Sequence, residues 1–208
     1  MSVKVLKHEN GPFLVNSYLV INETSNEAFI LDPGHDTAPL LEAIEKEKLK
    51  LSAIVATHGH LDHVEGVTKV QEVHNVPFIV NDGDRQLIET IPVQAGMFGV
   101  PAPGVPEIGE VLPLSGTKEV AGMAMELLHT PGHSPGSVSI KIDSIVFSGD
   151  ALFNFSIGRT DLPGGNYEEL ISSIKDKLFS LPDDTTVLPG HGPGTTIGSE
   201  KKMNPFFS

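Results

Sequence analysis

Short apolar runs that stop at turn residues are the feature of this sequence that most restricts its fold. Each run is rich in Val, Ile or aromatic side chains and ends at Gly, Pro, Asn or Asp. This is the pattern of short strands joined by shaped loops. The predicted strands span residues 3–7, 17–21, 28–31, 53–56, 78–80, 123–128, 137–142, 145–148 and 186–188.

Three segments between these strands have the apolar spacing of amphipathic helices: residues 37–50, 62–74 and 167–179. Asp143 and Ser144 separate two apolar runs, as in a tight hairpin. Strands outnumber helices in both halves of the chain. The pattern therefore predicts an α/β protein in which two sheets pack face to face with helices outside.

Residues 89–109 do not fit a regular element, because Pro and Gly recur throughout the segment. A long loop in a compact domain is more often functional than inert. Two interpretations remain open: a flap over a binding site, and a surface excursion packed by its own apolar residues.

Length and charge narrow the function classes. A chain of 208 residues predicts one domain, residues 1–208. The formal net charge of −13 argues against a nucleic-acid partner, which would require a basic surface. We expect no membrane partner, because no apolar run approaches a membrane span, and the first residues lack the apolar core of a signal peptide. A cytoplasmic location is the expectation. With no cysteine, thiolate ligands and thiol nucleophiles are excluded.

A dense group of metal-type side chains follows the strand predicted at 53–56. His58 and His60 lie two apart on extended chain and should project to the same side. Asp62 and His63 fall in the first turn of the next helix, pointing back to the strand end. Four nitrogen and oxygen donors within six residues favour zinc, iron or manganese over calcium.

Three further donors follow predicted strands and lie beside Gly or Pro. His133, Asp150 and His191 each occupy such a loop. Loops at strand ends are where a rigid scaffold presents functional groups. Together with the first group they could complete a closed metal site.

The order of these residues resembles the metallo-β-lactamase superfamily. His-x-His-x-Asp-His, then Gly-His, Gly-Asp and Gly-His, is similar in particular to its glyoxalase II-like branch, the hydroxyacylglutathione hydrolase-like small metallo-hydrolases. The likeness runs from Asp32-Pro33-Gly34 to residues 189–192, and residues 156–161 are similar to those of short bacterial members. It implies the metallo-β-lactamase fold, an αββα sandwich of two mixed sheets.

The resemblance also implies roles for individual residues. One metal ion would be held by His58, His60 and His133, a second by Asp62, His63 and His191, with Asp150 bridging the two. Asp32 would orient a ligand histidine; the alternative is a plain turn aspartate before Pro33. Four histidines match no ligand position and are interpreted as surface or packing residues: His8, His35, His74 and His129.

The implied chemistry is hydrolysis at two divalent metal ions, with zinc favoured and iron or manganese possible. Water held by such ions ionises near neutral pH. Two cations balanced by Asp62, Asp150 and a bridging hydroxide leave one positive charge for a developing oxyanion. The implied substrate is a small-molecule thioester such as S-2-hydroxyacylglutathione.

The chain ends soon after His191 and would lack the C-terminal helical extension with which longer glyoxalase II enzymes bind glutathione. Arg159 and Asp161 stand where those enzymes have a lysine and a tyrosine for glutathione. Arg159 could meet a substrate carboxylate in a bidentate pair, or it could pair with Asp161 and hold the loop.

Other functions remain open. A persulfide dioxygenase of a related branch would place one iron on His58, His133 and Asp150, and its Gly-Arg-Thr-Asp segment is similar to residues 158–161. Hydrolysis of a lactone or an ester requires the same chemistry from the metal ions as hydrolysis of a thioester. A non-catalytic metal-binding domain and a nuclease are further alternatives, and the negative charge disfavours the nuclease.

Overall fold

The computed structural model describes residues 2–207, and two six-stranded sheets form its centre. The strands of the first sheet, in spatial order, are β1 (Val3–Asn10), β2 (Val15–Asn22), β3 (Glu27–Leu31), β4 (Lys50–Val55), β5 (Phe78–Val80) and β6 (Glu110–Val111). β1 to β3 pair antiparallel, and β3 to β6 pair parallel. The first sheet is therefore mixed.

The second sheet is mixed as well. Its strands, in chain order, are β7 (Gly116–Val120), β8 (Met123–His129), β9 (Val138–Ile142), β10 (Ile145–Gly149), β13 (Thr186–Pro189) and β14 (Thr195–Thr196). In space the order is β14-β13-β10-β9-β8-β7, with one parallel pair, β10 and β13. A small hairpin of β11 (Leu152–Phe153) and β12 (Ser156–Ile157) lies apart from it.

Helices cover the outer face of each sheet. They are α1 (Ala38–Glu47), α2 (Leu61–Val64), α3 (Val67–Val73), α4 (Arg85–Glu89), α5 (Ile91–Phe98), α6 (Tyr167–Ser173) and α7 (Ile197–Met203). A 3₁₀ turn precedes α4, and α6 continues as a π-helical segment, Ile174–Leu178. Among residues 2–207, no helix has the length and apolar content needed to cross a membrane.

Alternation of side chains along the strands produces three apolar cores. On β3, Ala28 and Ile30 pack under the helices, whereas Phe29 and Leu31 face the other sheet, as the two-residue period of a strand requires. The middle core lies between the sheets, and a third joins β10 and β13 to α6 and α7. This arrangement confirms the predicted αββα sandwich.

The prediction of one continuous helix over residues 62–74 is wrong. The segment forms two helices, α2 and α3, with Gly66 between them. The Gly66 amide donates to Pro33 O at 3.0 Å, and a Cβ at this position would overlap Gly34 O. Close packing on the turn at 33–34 therefore breaks the helix.

The prediction that residues 89–109 lack regular structure is also wrong in part, because α5 occupies 91–98. Pro92 lies in the first helical turn, where no amide donor is needed, and Gly99 ends the helix with φ of 66°. The residues interpreted as breakers are the start and stop signals of a helix. The hypothesis that this segment acts as a flap stays a prediction.

Candidate metal centre

The predicted donors lie on loops at one end of the two sheets. His58 and His60 follow β4, and the helical turn of α2 presents Asp62 and His63. His133 follows β8 in the loop to β9. Asp150 and His191 come directly after β10 and near the end of β13.

Three imidazoles face one another in the first donor group. His133 Nε2 lies 2.8 Å from His60 Nδ1 and 3.2 Å from His58 Nε2. All three side chains are buried. Nitrogens bound at 2.0–2.1 Å to one tetrahedral ion are about 3.3 Å apart. The separation of these nitrogens is therefore compatible with one shared cation.

The second donor group contains Asp62, His63 and His191. His191 Nε2 lies 3.2 Å from Asp62 Oδ2, and His63 Nε2 lies 3.8 Å from the same oxygen. Within each group the donor atoms lie within 4.8 Å of one another. His63 is fully buried, whereas Asp62 and His191 are partly exposed.

Asp150 contacts both groups. Its Oδ2 is 3.4 Å from His133 Nε2 and 3.5 Å from His191 Nε2, and its Oδ1 is 3.3 Å from His63 Nε2. One carboxylate therefore reaches donors of both groups, which is the placement that a bridging ligand needs.

Four of the five donor imidazoles place Nε2 towards the other donors. In each of these four rings an oxygen atom lies beside Nδ1, the far nitrogen. The far-nitrogen partners are Thr57 Oγ1 for His58 at 3.1 Å, Asp32 Oδ2 for His63 at 3.1 Å, Arg159 O for His133 at 2.7 Å and Leu14 O for His191 at 3.3 Å. An acceptor on one ring nitrogen favours the proton there and leaves the other nitrogen free to bind metal.

Asp32 lies where a residue that orients a ligand histidine should lie. Its Oδ1 accepts from the Thr57 amide at 2.7 Å, and its Oδ2 accepts from Thr57 Oγ1 at 2.8 Å. The same Oδ2 faces His63 Nδ1, although that pair lacks hydrogen-bond alignment. The Asp32 backbone has φ of 51°, a left-handed conformation that aspartate tolerates better than most residues.

The two groups differ in their proton affinity. Burial, reinforced by neighbouring imidazoles, lowers the pKa of His58 well below its ordinary value and that of His60 to about 3. Burial opposes charge on His63 and His191 as well, but nearby carboxylates overcome it. They raise the pKa of His63 well above its usual range and that of His191 to about 10.

The two carboxylates shift in the opposite direction. Burial opposes ionisation of Asp62 and Asp150, but the charge of His63 and hydrogen bonding with His191 outweigh it. The pKa of Asp62 is lowered, and that of Asp150 lies well below its ordinary value. The centre thus holds carboxylates that need cationic partners beside neutral imidazoles with free lone pairs.

Unpaired buried atoms provide a direct test of whether this centre fits a metal. His63 Nε2 and Asp150 Oδ1 are buried without a hydrogen-bond partner and lie 3.3 Å apart. A buried polar atom left unpaired is costly, and a cation would satisfy both. The donor set of imidazole and carboxylate also suits zinc, iron or manganese. The cluster is therefore able to bind metal ions.

A cavity of about 360 Å³, which we call the main cavity, opens onto these donors. His60, Asp62, Asp150 and His191 line it, together with Arg159. The Arg159 guanidinium donates to both carboxylate oxygens of Asp161, at 2.7 Å each. This pairing is the second of the two arrangements considered from the sequence, and it leaves the Arg159 side chain half exposed at the cavity.

Sequence reasoning missed Asp84, a buried carboxylate that joins two ligand loops. Its Oδ2 accepts from the Gly59 amide at 2.8 Å and from Ser134 Oγ at 2.6 Å, and its Oδ1 accepts from the Gly136 amide at 2.7 Å. Gly59 separates His58 from His60, and Ser134 follows His133. Burial raises the pKa of Asp84, against the effect of these donors.

Two residues of β2 that were not predicted to have a role hold the loop of His191. Asn16 Nδ2 donates to Pro189 O at 2.9 Å and to Gly192 O at 2.8 Å, and Tyr18 Oη donates to Pro189 O at 2.6 Å. These bonds tie the first sheet to the ligand loop of the second. Asn16 is one of several polar residues on β2, which also carries Ser17 and Asn22, so its polarity alone does not single it out in the sequence.

The four remaining histidines belong to none of the donor groups formed by residues 2–207. His35 Nδ1 pairs with Glu65 at 3.2 Å, and His129 Nε2 is 3.0 Å from Pro135 O. His8 lies 3.7 Å from Asp36. His74 ends α3.

Comparison with known proteins identifies the family. A model of the metallo-beta-lactamase superfamily matches residues 10–191. The chain is 40% identical over 206 residues to hydroxyacylglutathione hydrolase GloC of Haemophilus influenzae, covering 94% of each chain.

Two solved structures are similar over nearly their whole length. The B3 metallo-beta-lactamase BLEG-1 aligns with a TM-score of 0.92 at 36% identity, covering 99% of this chain and 100% of that one. TTHA1623 in a di-iron-bound form aligns with a TM-score of 0.85 at 39% identity, covering 97% and 99%. With seven predicted donors gathered at one end of an αββα sandwich, and with this match, the chain belongs to the metallo-beta-lactamase superfamily.

Proposed function

We propose that this protein is a hydrolase that uses two divalent metal ions to cleave a thioester such as S-2-hydroxyacylglutathione. The observation that carries the proposal is the pair of donor groups with Asp150 between them. The relative named hydroxyacylglutathione hydrolase supports the substrate class.

In this proposal His58, His60 and His133 would hold one ion, Asp62, His63 and His191 would hold the other, and Asp150 would serve both. Zinc is our first choice, and the same donors accept iron or manganese. When bound, such ions lower the pKa of water towards neutrality and polarise a carbonyl oxygen.

The side chains around the donors would orient the substrate and handle protons. Asp62 lines the main cavity and has an exposed edge, so we assign its carboxylate as the acceptor of a proton from the attacking water. Asp150 is more deeply buried and would fix the geometry of both donor groups. Phe13, Phe98 and Phe153 also line this cavity and would exclude bulk water from a bound acyl group.

Arg159 is our candidate for binding a charged part of the substrate. A substrate carboxylate could replace Asp161 as its bidentate partner, because both groups present two oxygens to the same guanidinium. The exposed Asp161 pairing contributes little stability by itself, so the exchange would cost little.

The serines next to the ligands do not support a covalent mechanism. Ser134 Oγ donates to Asp84, and Ser148 Oγ donates to Leu152 O at 2.7 Å. Neither hydroxyl donates to an imidazole base in these contacts. Direct attack by water is therefore favoured over an acyl-enzyme.

The alternative, a mononuclear iron persulfide dioxygenase, would use only His58, His133 and Asp150. It gives no role to the donor group of Asp62, His63 and His191, whose atoms lie within 4.8 Å of one another. That second group favours two ions and hydrolysis. Lactones and other esters remain candidate substrates because their carbonyl demands the same chemistry.

The test combines metal analysis with a substrate panel. Protein stripped with a chelator and reloaded with zinc, iron or manganese is assayed for hydrolysis of S-lactoylglutathione, a lactone and a β-lactam, and for oxygen consumption with glutathione persulfide. We expect thioester hydrolysis with two ions per chain. Oxygen consumption with one iron per chain would overturn the proposal.

Two ligand variants test the site assignment. His60→Ala and Asp150→Ala should each abolish hydrolysis and lower metal content, because each removes a donor from the centre. The matched control is His74→Ala, since His74 lies at the end of α3 and belongs to no donor group of the described chain. Full activity in either ligand variant would refute the assignment.

A further inference from the structure

A second cavity of about 330 Å³, which we call the side cavity, lies beside the main cavity. His60, Gln94, Phe98 and Leu162 line both cavities, so the two spaces meet next to a proposed metal ligand. A substrate whose reacting carbonyl lies at the donors could therefore extend a substituent directly into the side cavity.

The lining of the side cavity is mostly apolar, and its polar members are Gln86, Thr90, Gln94 and the imidazole of His60. None of its lining residues is Asp, Glu, Lys or Arg. Two of its polar side chains already have hydrogen-bond partners: Gln94 accepts from the Leu61 amide at 2.9 Å and donates to Leu87 O at 2.7 Å, and Thr90 Oγ1 donates to Gln86 O at 2.7 Å. A ligand arm that carries charge would lose its hydration there without finding a counter-charge.

Helix α5 supplies an exposed apolar wall to this space. Val93 and Met97 are four residues apart, hence on the same helix face, and their relative exposures are 62% and 64%. The helix, Ile91–Phe98, contains no charged residue. Gln94 anchors it to α2, so the wall has a fixed position relative to His60.

The main cavity differs in charge, because Asp62, Asp150 and Arg159 line it and none of them lines the side cavity. A substrate built of a neutral chain and a charged carrier would place the carrier towards Arg159 and the chain in the side cavity. At about 30 Å³ per non-hydrogen atom, the space a water molecule occupies in the liquid, the side cavity holds roughly ten such atoms.

We propose that the side cavity is the subsite for the acyl chain of the substrate, and that this chain is an uncharged hydrocarbon of about six to eight carbons. The assignment rests on the proposed hydrolase function. It extends that function by naming the acyl group that the protein should prefer over a short, polar one.

The first experiment measures kcat/KM of the zinc-loaded protein for thioesters of one small neutral thiol, N-acetylcysteamine, with acetyl, butanoyl, hexanoyl and octanoyl groups. Burying one methylene corresponds to about a fourfold gain. We expect kcat/KM to rise by up to that factor per methylene and then to level off as the cavity fills. Hydrolysis of all four at equal kcat/KM would overturn the subsite while leaving the hydrolase function intact.

Met97→Glu places a carboxylate in the subsite and should remove most of the preference for octanoyl over acetyl. Met203→Glu is the matched control, because Met203 is also an exposed helical methionine, 57% exposed, on α7. The control should keep the wild-type preference. Val93→Glu is a second variant on the same wall, and thermal unfolding verifies that each variant is folded. A preference unchanged in both wall variants would overturn the subsite.

A binding measurement separates the subsite from catalysis. The probes are 2-butanone, 2-hexanone and 2-octanone, which have the carbonyl and chain but no leaving group. The chain has only five methionines, so methyl signals of labelled methionine can be assigned individually. The Met97 signal should shift at lower concentration with the longer ketone, and that of Met203 should not shift. If the Met97 signal shifts in this way but no thioester is hydrolysed, the proposed function is refuted and the subsite is retained. If the Met97 signal does not shift in this way, the subsite is refuted.

Discussion

Asp84→Asn should weaken metal binding by loosening two ligand loops at once. The amide keeps one acceptor oxygen, and its NH₂ group must face a donor. With the oxygen towards Gly59 and Ser134, the buried Gly136 amide loses its acceptor. A hydrogen bond to a charged group contributes about 1.5–3 kcal/mol. We therefore expect a loss of about 3 kcal/mol in the free energy of unfolding, or roughly 6–12 °C in Tm.

The measurement has two parts. Chemical unfolding of the metal-free protein gives the stability loss, and competition with a chelator at 25 °C gives the metal affinity of the folded variant. Residues that hold ligands in place typically change metal affinity 10- to 100-fold when mutated. We expect a loss of about that size, because Gly59 lies between two donor histidines and Ser134 follows a third.

Asp82→Asn is the matched control, two residues away. Asp82 is exposed and pairs with Arg85 at 2.7 Å, a surface ion pair that contributes at most about 1 kcal/mol. The metal affinity of the Asp82→Asn variant should equal that of the wild-type protein. If Asp84→Asn lowers stability yet binds metal as tightly as this control, Asp84 only supports folding, and the reasoning about the ligand loops is refuted.

Four further predictions follow from the centre. Gly190→Ala should lower metal content and activity, because the added Cβ would overlap the Asp150 carboxylate. The control is Gly96→Ala, where the Cβ would enter open space. Analysis of the bound metal in both variants tests this prediction. Asp32→Asn removes the charge facing a ligand histidine and should weaken metal binding 10- to 100-fold in a chelator competition. The pKa of His191 is raised to about 10. Its protonation therefore stabilises the metal-free fold below about pH 6.5, and this contribution is lost as pH rises towards 10, as urea unfolding with chelator would show. A metal ion at a free concentration 100 times its Kd should add about 2.7 kcal/mol of stability, measured as a rise in Tm.

Much of the fold could be predicted because it is encoded locally. Strands buried on both faces read as apolar runs, and β2 and β3 are examples in which alternate residues serve different cores. Helix α5 was missed because Pro92 and Gly99 have a different meaning at the ends of a helix than inside one. The break at Gly66 depends on its packing against Gly34, a contact between residues distant in sequence.

The donor residues could be predicted for a similar reason. Four of them lie within six residues, and the other three follow strands in Gly-containing loops. Asp84 could not be found in this way, because nothing near it in sequence is a ligand. Its role comes from Gly59, Ser134 and Gly136, which the fold brings to its two oxygens.

The oxygens that orient the histidines mark the deeper limit of sequence reasoning. Two of the four far-nitrogen partners are the backbone carbonyls of Leu14 and Arg159. Every residue has a carbonyl, so side-chain identity carries no signal for this role. Leu14 has φ of 55°, a conformation unfavourable for leucine. Strain of this kind persists where the surrounding structure holds it, often at functional sites. At Leu14, the turn between β1 and β2 places the carbonyl beside His191, so this orienting contact is specified by backbone conformation and not by residue type.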